Sequence, residues 1–334
     1  MDEPLWIDEH APSLADLPQA SVRDRLRDAV DEPVNLVVYG PSGAGKTAAV
    51  RALAAAAHDD PETDLVEVNV ADVFGMTKTE ISEDPRFASF IDAKRRRNSS
   101  KADLVNHVLK ETASYSPVSG GYNTILLDNA EAIREDFQQA LRRVMERHHE
   151  ATQFIIATRQ PSKLIPPIHS RCFPVSVRAP TDNEVVDVLR EIVAAEGVDY
   201  EPDGLEFVAG YAEGDLREAV LGAQTTAEQE GEVTMNAAYE ALQDVGSDAA
   251  VESMLDDAEA GAFTDARSTL DDLLVDEGMS GGEVLDDLLE VARSRYSGDD
   301  VAELYALAGD VEFDLTRGTS DRVQLGRLLA ELGR

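Results

Sequence analysis

Eight residues, GPSGAGKT from Gly40 to Thr47, carry the spacing G-x-x-x-x-G-K-[ST]. Glycines so spaced let backbone amides curl around phosphate oxygens at the positive end of a helix. Gly40, Pro41, Ser42, Gly43, Ala44 and Gly45 would form the cradle, Lys46 would reach the β and γ phosphates of a nucleotide, and Thr47 would bind Mg2+. A second run, TILLDNAEAI, ends its apolar residues in Asp128, the natural partner of that Mg2+. Enzymes that hydrolyse nucleotides usually place a glutamate next, to activate water. Here the next residue is Asn129, whose amide cannot take a proton. Glu131 could stand in only if the loop bent it back; its position favours the start of the following helix. Nucleotide binding is expected, and hydrolysis stays open.

Such residues need a sheet edge to hold them. VNLVVYG (Val34–Gly40) is an apolar run of strand length before the glycine loop, and KTAAVRALAAAAH after it reads as helix. DLVEVNVAD, TILLDN, TQFIIAT and HSRCFPVSV supply further strands, and REDFQQALRRVMERHH is a helix between them. Residues 13–31 also read as helix, from Leu14, Leu17, Val22, Leu26 and Val30. Strands alternating with helices predict a parallel sheet with helices on both faces. Beyond Pro180 the pattern is helical only, with a polar break near DVGSDA. The expected organisation is an α/β P-loop domain at 1–178, a small helical domain at 179–243 and a helical C-terminal domain at 244–334.

The chain has 334 residues, more than one core usually serves, and a net charge of −36. Its periodic apolar segments exclude a disordered polyanion. Only 6 of 30 basic residues are lysine, which with the acidic surface points to adaptation to molar salt. At ~1 M salt the Debye length is about 3 Å, so this charge does not exclude nucleic acid as a partner. One cysteine, Cys172, excludes an internal disulfide and fits a reducing cytoplasm. No apolar run reaches the ~18 residues of a membrane span, and the acidic start MDEPLWIDEH is unlike a signal peptide, so a cytoplasmic protein without membrane partner is expected.

DFQQALRRVMERHHEATQFIIAT followed by SKLIPPIHSRC closely resembles the small subunits of replication factor C, the sliding-clamp loader of archaea and eukaryotes. The resemblance covers most of the chain, including GDLREAV (Gly214–Val220), and LTRGTSDRVQLGRLLAEL is similar to the collar through which five subunits form a ring. It implies an AAA+ ATPase with a lid and a collar domain, ATP and Mg2+ as cofactors, and as partners the other subunits of a hetero-pentamer, the sliding clamp and primer-template DNA. Arg171, in the Ser170-Arg171-Cys172 box, would be an arginine finger inserted into a neighbour's site, an effect worth ~10³ to 10⁵ in rate in well-studied cases. Arg217 would be the sensor reaching the chain's own γ-phosphate from the lid.

Three positions depart from the family. Asp128, Asn129, Ala130 and Glu131 stand where Asp-Glu-Ala-Asp is usual, Arg159 replaces a polar sensor asparagine, and Glu9, His10, Ala11 and Pro12 replace Lys-Tyr-Arg-Pro near adenine. All three lie in the chain's own site, whereas the residue used in trans is kept. The expectation is a subunit that binds ATP, hydrolyses it weakly and serves its neighbour; the alternative is a different working arrangement of Arg159 with Glu131.

The run AKRRRNSSK offers Lys94, Arg95, Arg96, Arg97 and Lys101 to DNA phosphates, or else a solvated loop that pairs with the acidic surface. Arg142 and Arg143 are a second candidate DNA contact, and Gln138 and Gln139 on the same helix would couple DNA to the ATP site by the resemblance. VFGMTKTEI (Val73–Ile81) is an apolar candidate for a clamp contact. Two other functions fit parts of the sequence: a stand-alone AAA+ DNA-remodelling ATPase, and a non-catalytic nucleotide-binding scaffold in which Arg171 would be dispensable.

Overall fold

A computed structural model describes residues 5–70, 73, 76–83, 104, 107, 108, 110, 111, 113, 114, 121–243, 247–275, 279–316 and 320–333. The chain forms two compact units, Met1–Ala238 and Tyr239–Arg334. The basic candidates Lys94, Arg95, Arg96, Arg97 and Lys101 lie outside the described residues.

The first unit opens on α1 (Trp6–Glu9) and is built on a five-stranded sheet of β1 (Leu36–Tyr39), β2 (Leu65–Asn69), β3 (Asn123–Asp128), β4 (Thr152–Thr158) and β5 (Phe173–Ser176). Their order is β2-β3-β4-β1-β5, and every pairing is parallel. Side chains alternate across a strand. Leu36, Val38, Leu126, Ile155 and Ala157 therefore meet Val22 and Leu26 of α2 (Ala20–Asp31) and Val50 and Leu53 of α3 (Lys46–Ala57) on one face. Val37, Ile125, Leu127, Phe154 and Ile156 meet Phe137, Leu141 and Met145 of α4 (Glu135–His148) on the other. Each such aliphatic side chain is worth about 1.5–3 kcal/mol on burial. With both faces covered, β4 is buried at every position, which is why it reads as a run rather than an alternation. Because all strands are parallel, Tyr39, Asp128 and Thr158 finish on one edge.

Two expectations are corrected here. The helix expected over 13–31 begins only at Ala20. Pro18 would sit in its interior without an amide donor, and Ser13 instead opens a turn, its hydroxyl donating to Asp16 Oδ2 at 2.5 Å. The apolar stretch offered to a clamp is also taken up by the core: Val73 and Ile81 are buried there and Met76 packs against it, while Phe74 and Gly75 lie outside the described residues.

Beyond the sheet, α5 (Pro166–His169) precedes β5, and α6 (Asp182–Glu196), α7 (Pro202–Tyr211), α8 (Leu216–Glu230) and α9 (Met235–Gln243) follow. Thr181 and Glu184 form a capping box that starts α6. The helical region is interrupted by two-residue strands, Asp199–Tyr200 and Glu232–Val233, paired in parallel, where helices alone were expected. The second unit holds α10 (Ser247–Glu259), α11 (Phe263–Val275), α12 (Gly281–Arg295), α13 (Asp299–Thr316) and α14 (Asp321–Leu332) around Val251, Leu255, Leu270, Leu288, Val311 and Leu328. Among the described residues, no helix is long and apolar enough to cross a membrane.

Candidate functional site

The loop between β1 and α3 turns on two glycines in the left-handed region, Gly43 at φ 57° and Gly45 at φ 87°. Gly43 has a second reason to lack a side chain. A Cβ there would lie 1.8 Å from the Asp215 carboxylate. Asp215 caps α8, accepting from the amides of Arg217 at 2.8 Å and Glu218 at 3.0 Å. The Leu216 amide meanwhile donates to the Gly43 carbonyl at 3.0 Å. The helix carrying Arg217 is thus seated on the phosphate loop. Arg217 was expected at this site from its sequence and Asp215 was not, although D-x-x-E before a helix is a start signal.

Below the loop, Thr47 Oγ1 donates to Asp128 Oδ2 at 2.6 Å. Lys46 Nζ donates to the Pro41 carbonyl at 2.5 Å, and no carboxylate lies within ion-pair distance of it among the described residues. Burial is the largest influence on the Lys46 ammonium and lowers its pKa, against the pull of Asp128 and Glu131 and with the push of Arg159. A half-buried cation without a partner carboxylate, two glycines opening a backbone cradle and a hydroxyl–carboxylate pair together fit a nucleotide's phosphates and Mg2+. The cavity has a volume of about 1040 Å³, at the upper end of the roughly 300–1,000 Å³ of small-molecule sites. It is lined by Ser42 to Thr47, Asp128, Asn129, Glu131, Arg159 and Arg217, and by the N-terminal segment Glu9 to Pro12. That segment is held by the Trp6 amide, which donates to Gln224 Oε1 at 2.9 Å, and by the His10 ring, which pairs with Glu196.

Asn129 sits at φ 52°, a conformation asparagine tolerates better than most side chains. Its Nδ2 donates to Asn69 Oδ1 at 3.2 Å. Glu131 does not begin the following helix as expected; it lies in a single 3-10 turn, Ala130–Ala132, and α4 starts at Glu135. The turn bends its carboxylate back to the end of β4. There Oε2 accepts from Thr158 Oγ1 at 2.8 Å and the Arg159 amide at 3.1 Å, and Oε1 accepts from Arg159 Nε at 2.7 Å. Burial acts to raise the Glu131 pKa, but the Arg159 side chain, backbone amides and Thr158 outweigh it and hold the carboxyl at about 2. Both oxygens are committed and the group does not take up a proton near neutrality, so Glu131 is poorly suited to act as a general base.

Arg171 follows α5 and does not line this cavity among the residues that do. Its Nη1 donates to the Pro167 carbonyl at 2.7 Å and to Ser170 Oγ at 3.2 Å, and Nη2 pairs with Glu146. Burial pushes the adjacent Cys172 thiol up to about 12, so it is unreactive. Gln138 is buried: Nε2 donates to the carbonyls of Ile133 at 3.2 Å and Lys163 at 3.0 Å, and Oε1 accepts from the Ile165 amide at 2.7 Å. Arg142 lies 3.2 Å from Glu146, and Arg143 is exposed on the same helix.

Residues 36–180 match the family described as ATPase family associated with various cellular activities (AAA), and residues 247–331 match the replication factor C C-terminal domain. The chain is 33% identical to the replication factor C small subunit of Aeropyrum pernix, over 99% of this chain and 96% of that one. It is 32% identical to that of Natronomonas pharaonis, over 99% and 95%, and 30% identical to that of Halobacterium salinarum, over 98% and 95%. Among solved structures, the Aeropyrum pernix Orc1 protein in complex with DNA is similar in fold, with a TM-score of 0.57 at 18% identity over 91% of this chain and 86% of that one. The Thermotoga maritima RuvB Holliday junction branch migration motor gives a TM-score of 0.50 at 12% identity, over 81% of each chain. The chain belongs to the replication factor C small-subunit family of AAA ATPases.

Proposed function

We propose that this replication factor C small-subunit relative is one subunit of a ring that loads a sliding clamp onto primer-template DNA, that its own site binds ATP with Mg2+ but hydrolyses it weakly, and that Arg171 serves a neighbour's site. One observation carries this reading. Neither residue near the base position is suited to activate water: Asn129 has an amide, bonded to Asn69, and the Glu131 carboxylate is held by Arg159. The chain nonetheless keeps an arginine, Arg171, with a partly exposed side chain outside its own nucleotide cavity.

Lys46, Thr47, Asp128 and the loop amides would hold the triphosphate and its Mg2+, with Arg217 approaching from the lid. Bound Mg2+ would neutralise phosphate charge. Arg171 in trans would stabilise charge on a neighbour's transferring phosphoryl group, so hydrolysis at the shared boundary needs this chain even when its own site is idle. Collar assembly is supported by the apolar side chains that the second unit leaves exposed, Val275, Phe313 and Val323 among them. Arg142 and Arg143 would face DNA phosphates.

The test is DNA- and clamp-stimulated ATPase of the reconstituted loader in high KCl, with this chain carrying Arg171→Ala or Lys46→Ala. Loss of most turnover with Arg171→Ala and little loss with Lys46→Ala is expected. A full subunit's share lost with Lys46→Ala would mean that the site hydrolyses after all. No loss with Arg171→Ala would make the chain a scaffold.

A further inference from the structure

The departure at Glu9 and His10 takes no part in the phosphate chemistry proposed above, yet the fold gives both residues a fixed place. Trp6 is buried, and its amide bond to Gln224 seats α1 against α8. Within the short helix the Glu9 amide donates to the Leu5 carbonyl at 3.2 Å and the His10 amide to the Trp6 carbonyl at 2.9 Å. Glu196, the last residue of α6, meets them from another element. Gly197 ends α6 at φ 70°, its amide donating to the Ala194 carbonyl at 3.3 Å, and the Val198 amide donates to the Val193 carbonyl at 3.1 Å. A helix end closed in this way holds its last residue in place. One ring nitrogen of His10 and one carboxylate oxygen each from Glu9 and Glu196 all lie within 4.8 Å of one another.

The charge at this spot is unbalanced. Glu196 stands at the negative end of a 15-residue helix whose last turn holds no basic residue, where the backbone adds roughly half an elementary negative charge. Other carboxylates of this unit are answered by arginine: Glu67 by Arg51, Glu131 by Arg159 and Glu184 by Arg178. Among the described residues, neither Glu9 nor Glu196 pairs with a lysine or arginine, and Glu196 has the His10 ring as its partner. A fully solvated acidic patch would need no cation in molar salt, but the His10 and Glu196 side chains are only 24% and 26% exposed. The imidazole also changes the chemistry of the group. Carboxylates alone suit Mg2+ and Ca2+, whereas a nitrogen ligand beside them suits Zn2+, Ni2+ or Cu2+.

We infer that Glu9, His10 and Glu196 bind a divalent transition cation of the Zn2+ class, which ties the N-terminal segment to the end of α6. Zn2+ takes imidazole nitrogen and carboxylate oxygen at about 2.0–2.2 Å in tetrahedral geometry, which sets its ligand atoms about 3.4 Å apart. The exposed Glu9 side chain has the rotational freedom to close the remaining distance. Three protein ligands leave the fourth position to water. Thr47 and Asp128 offer oxygen only and form a separate site for Mg2+. Glu9 and His10 line the nucleotide cavity together with Glu191 and Ile192 of α6, so the ion would fasten one wall of that cavity to another. This inference stands whether or not the cavity takes a nucleotide.

The chain has one tryptophan, Trp6, in the helix that ends at Glu9, so its emission reports on this place. The full-length chain, stripped of metal with a chelator and held in high KCl, is given millimolar Mg2+ to fill sites made of oxygen alone. It is then titrated with Zn2+ by equilibrium dialysis and with Co2+ by quenching of Trp6 fluorescence. One saturable equivalent of Zn2+ is expected, and Co2+ should quench Trp6 with the same stoichiometry and be displaced by Zn2+. His10→Ala is expected to weaken both about 100-fold or more, beyond the roughly 10- to 100-fold that follows loss of a group merely supporting a ligand. Glu9→Gln and Glu196→Gln should each weaken them roughly 10-fold or more. His149→Ala, at an exposed histidine elsewhere, should change neither. Thermal melts confirm that folded chains are compared, and Glu196→Gln, which keeps a hydrogen bond to the ring, carries the test if His10→Ala does not fold. Zn2+ binding that Mg2+ abolishes would mean an acidic surface only. That result, binding that survives loss of His10 or of the Glu196 charge, or Co2+ binding without quenching of Trp6, overturns the inference.

Discussion

Replacing Gly43 by alanine tests the contact between the start of α8 and the phosphate loop. The new Cβ would lie 1.8 Å from the Asp215 carboxylate carbon and one of its oxygens, and Gly43 has φ 57°. Left-handed backbone costs an alanine roughly 1–2 kcal/mol. Asp215 can escape the collision only by giving up the amides of Arg217 and Glu218, and a lost aspartate cap costs about 1 kcal/mol, within a range of roughly 0.5–2. Together the change is worth on the order of 2–4 kcal/mol. For a unit of this size a melting shift of about 2–4 °C per kcal/mol is typical, so a fall of roughly 5–15 °C is expected. The assay is thermal unfolding at one fixed, high KCl concentration, with Gly43→Ala made in the unsubstituted chain and in Asp215→Gly. Glycine at a cap costs only a few tenths of a kcal/mol relative to aspartate. In that background the collision is gone, and Gly43→Ala should cost only its backbone strain, about 1–2 kcal/mol less in total than before. Equal costs in the two backgrounds, within the roughly 0.5 kcal/mol expected of independent sites, would refute the seating of α8 on the loop.

The Glu131 carboxyl is held at about 2 in the folded chain, below its ordinary value of 4.5. Its contribution to stability is therefore complete above pH 4.5 and fades as pH falls toward 2. Denaturant midpoints of the unsubstituted chain and Glu131→Gln should differ by a constant amount near neutrality and converge between those two values; a gap that persists undiminished at pH 3 would contradict the assigned hydrogen bonds. Asn129→Glu places a longer side chain at φ 52° and breaks the bond to Asn69, so a loss of roughly 1–2 kcal/mol in stability is expected. The same variant in the assembled loader should gain ATP turnover that disappears with Lys46→Ala, and no gain would mean that something other than a missing base silences the site.

The parallel sheet and the phosphate loop were legible because each rests on a local signal. Apolar runs at strand length mark β1, β3 and β4, and the glycine-lysine spacing marks the loop between β1 and α3. What the sequence did not disclose was pairing across distance. Asp215 and Gly43 lie on different elements far apart in the chain, and only the fold brings the cap onto the loop. Glu131 and Arg159 were both visible as departures, yet their bond depends on a 3-10 turn three residues long that periodicity cannot detect. The helix start at Ala20 was misplaced because Leu17 is buried as a helical residue would be, while the backbone around it is a turn closed by Ser13 and Asp16. Val73 and Ile81 misled in the opposite sense, since apolar residues in an irregular stretch serve a core as readily as a partner.

The helix α4 makes contacts at both ends with the segment that carries Arg171, the residue proposed above to serve a neighbour. Its first turn is tied by the buried Gln138 to the carbonyl of Lys163 and the amide of Ile165, and its last turns place Glu146 against Arg171. Both ends of α4 thus grip the segment from Lys163 to Arg171. Gln138 cannot slide without losing hydrogen bonds, because both donor contacts and its acceptor contact are to backbone groups. A displacement of α4, which carries Arg142 and Arg143, would strain these contacts unless residues 163–171 moved with it. The other route from α4, through the turn that holds Glu131, ends on Arg159 rather than on a free carboxylate. If Arg171 serves a neighbour as proposed above, the contacts of Gln138 and Glu146 connect α4 to that residue without passing through position 129.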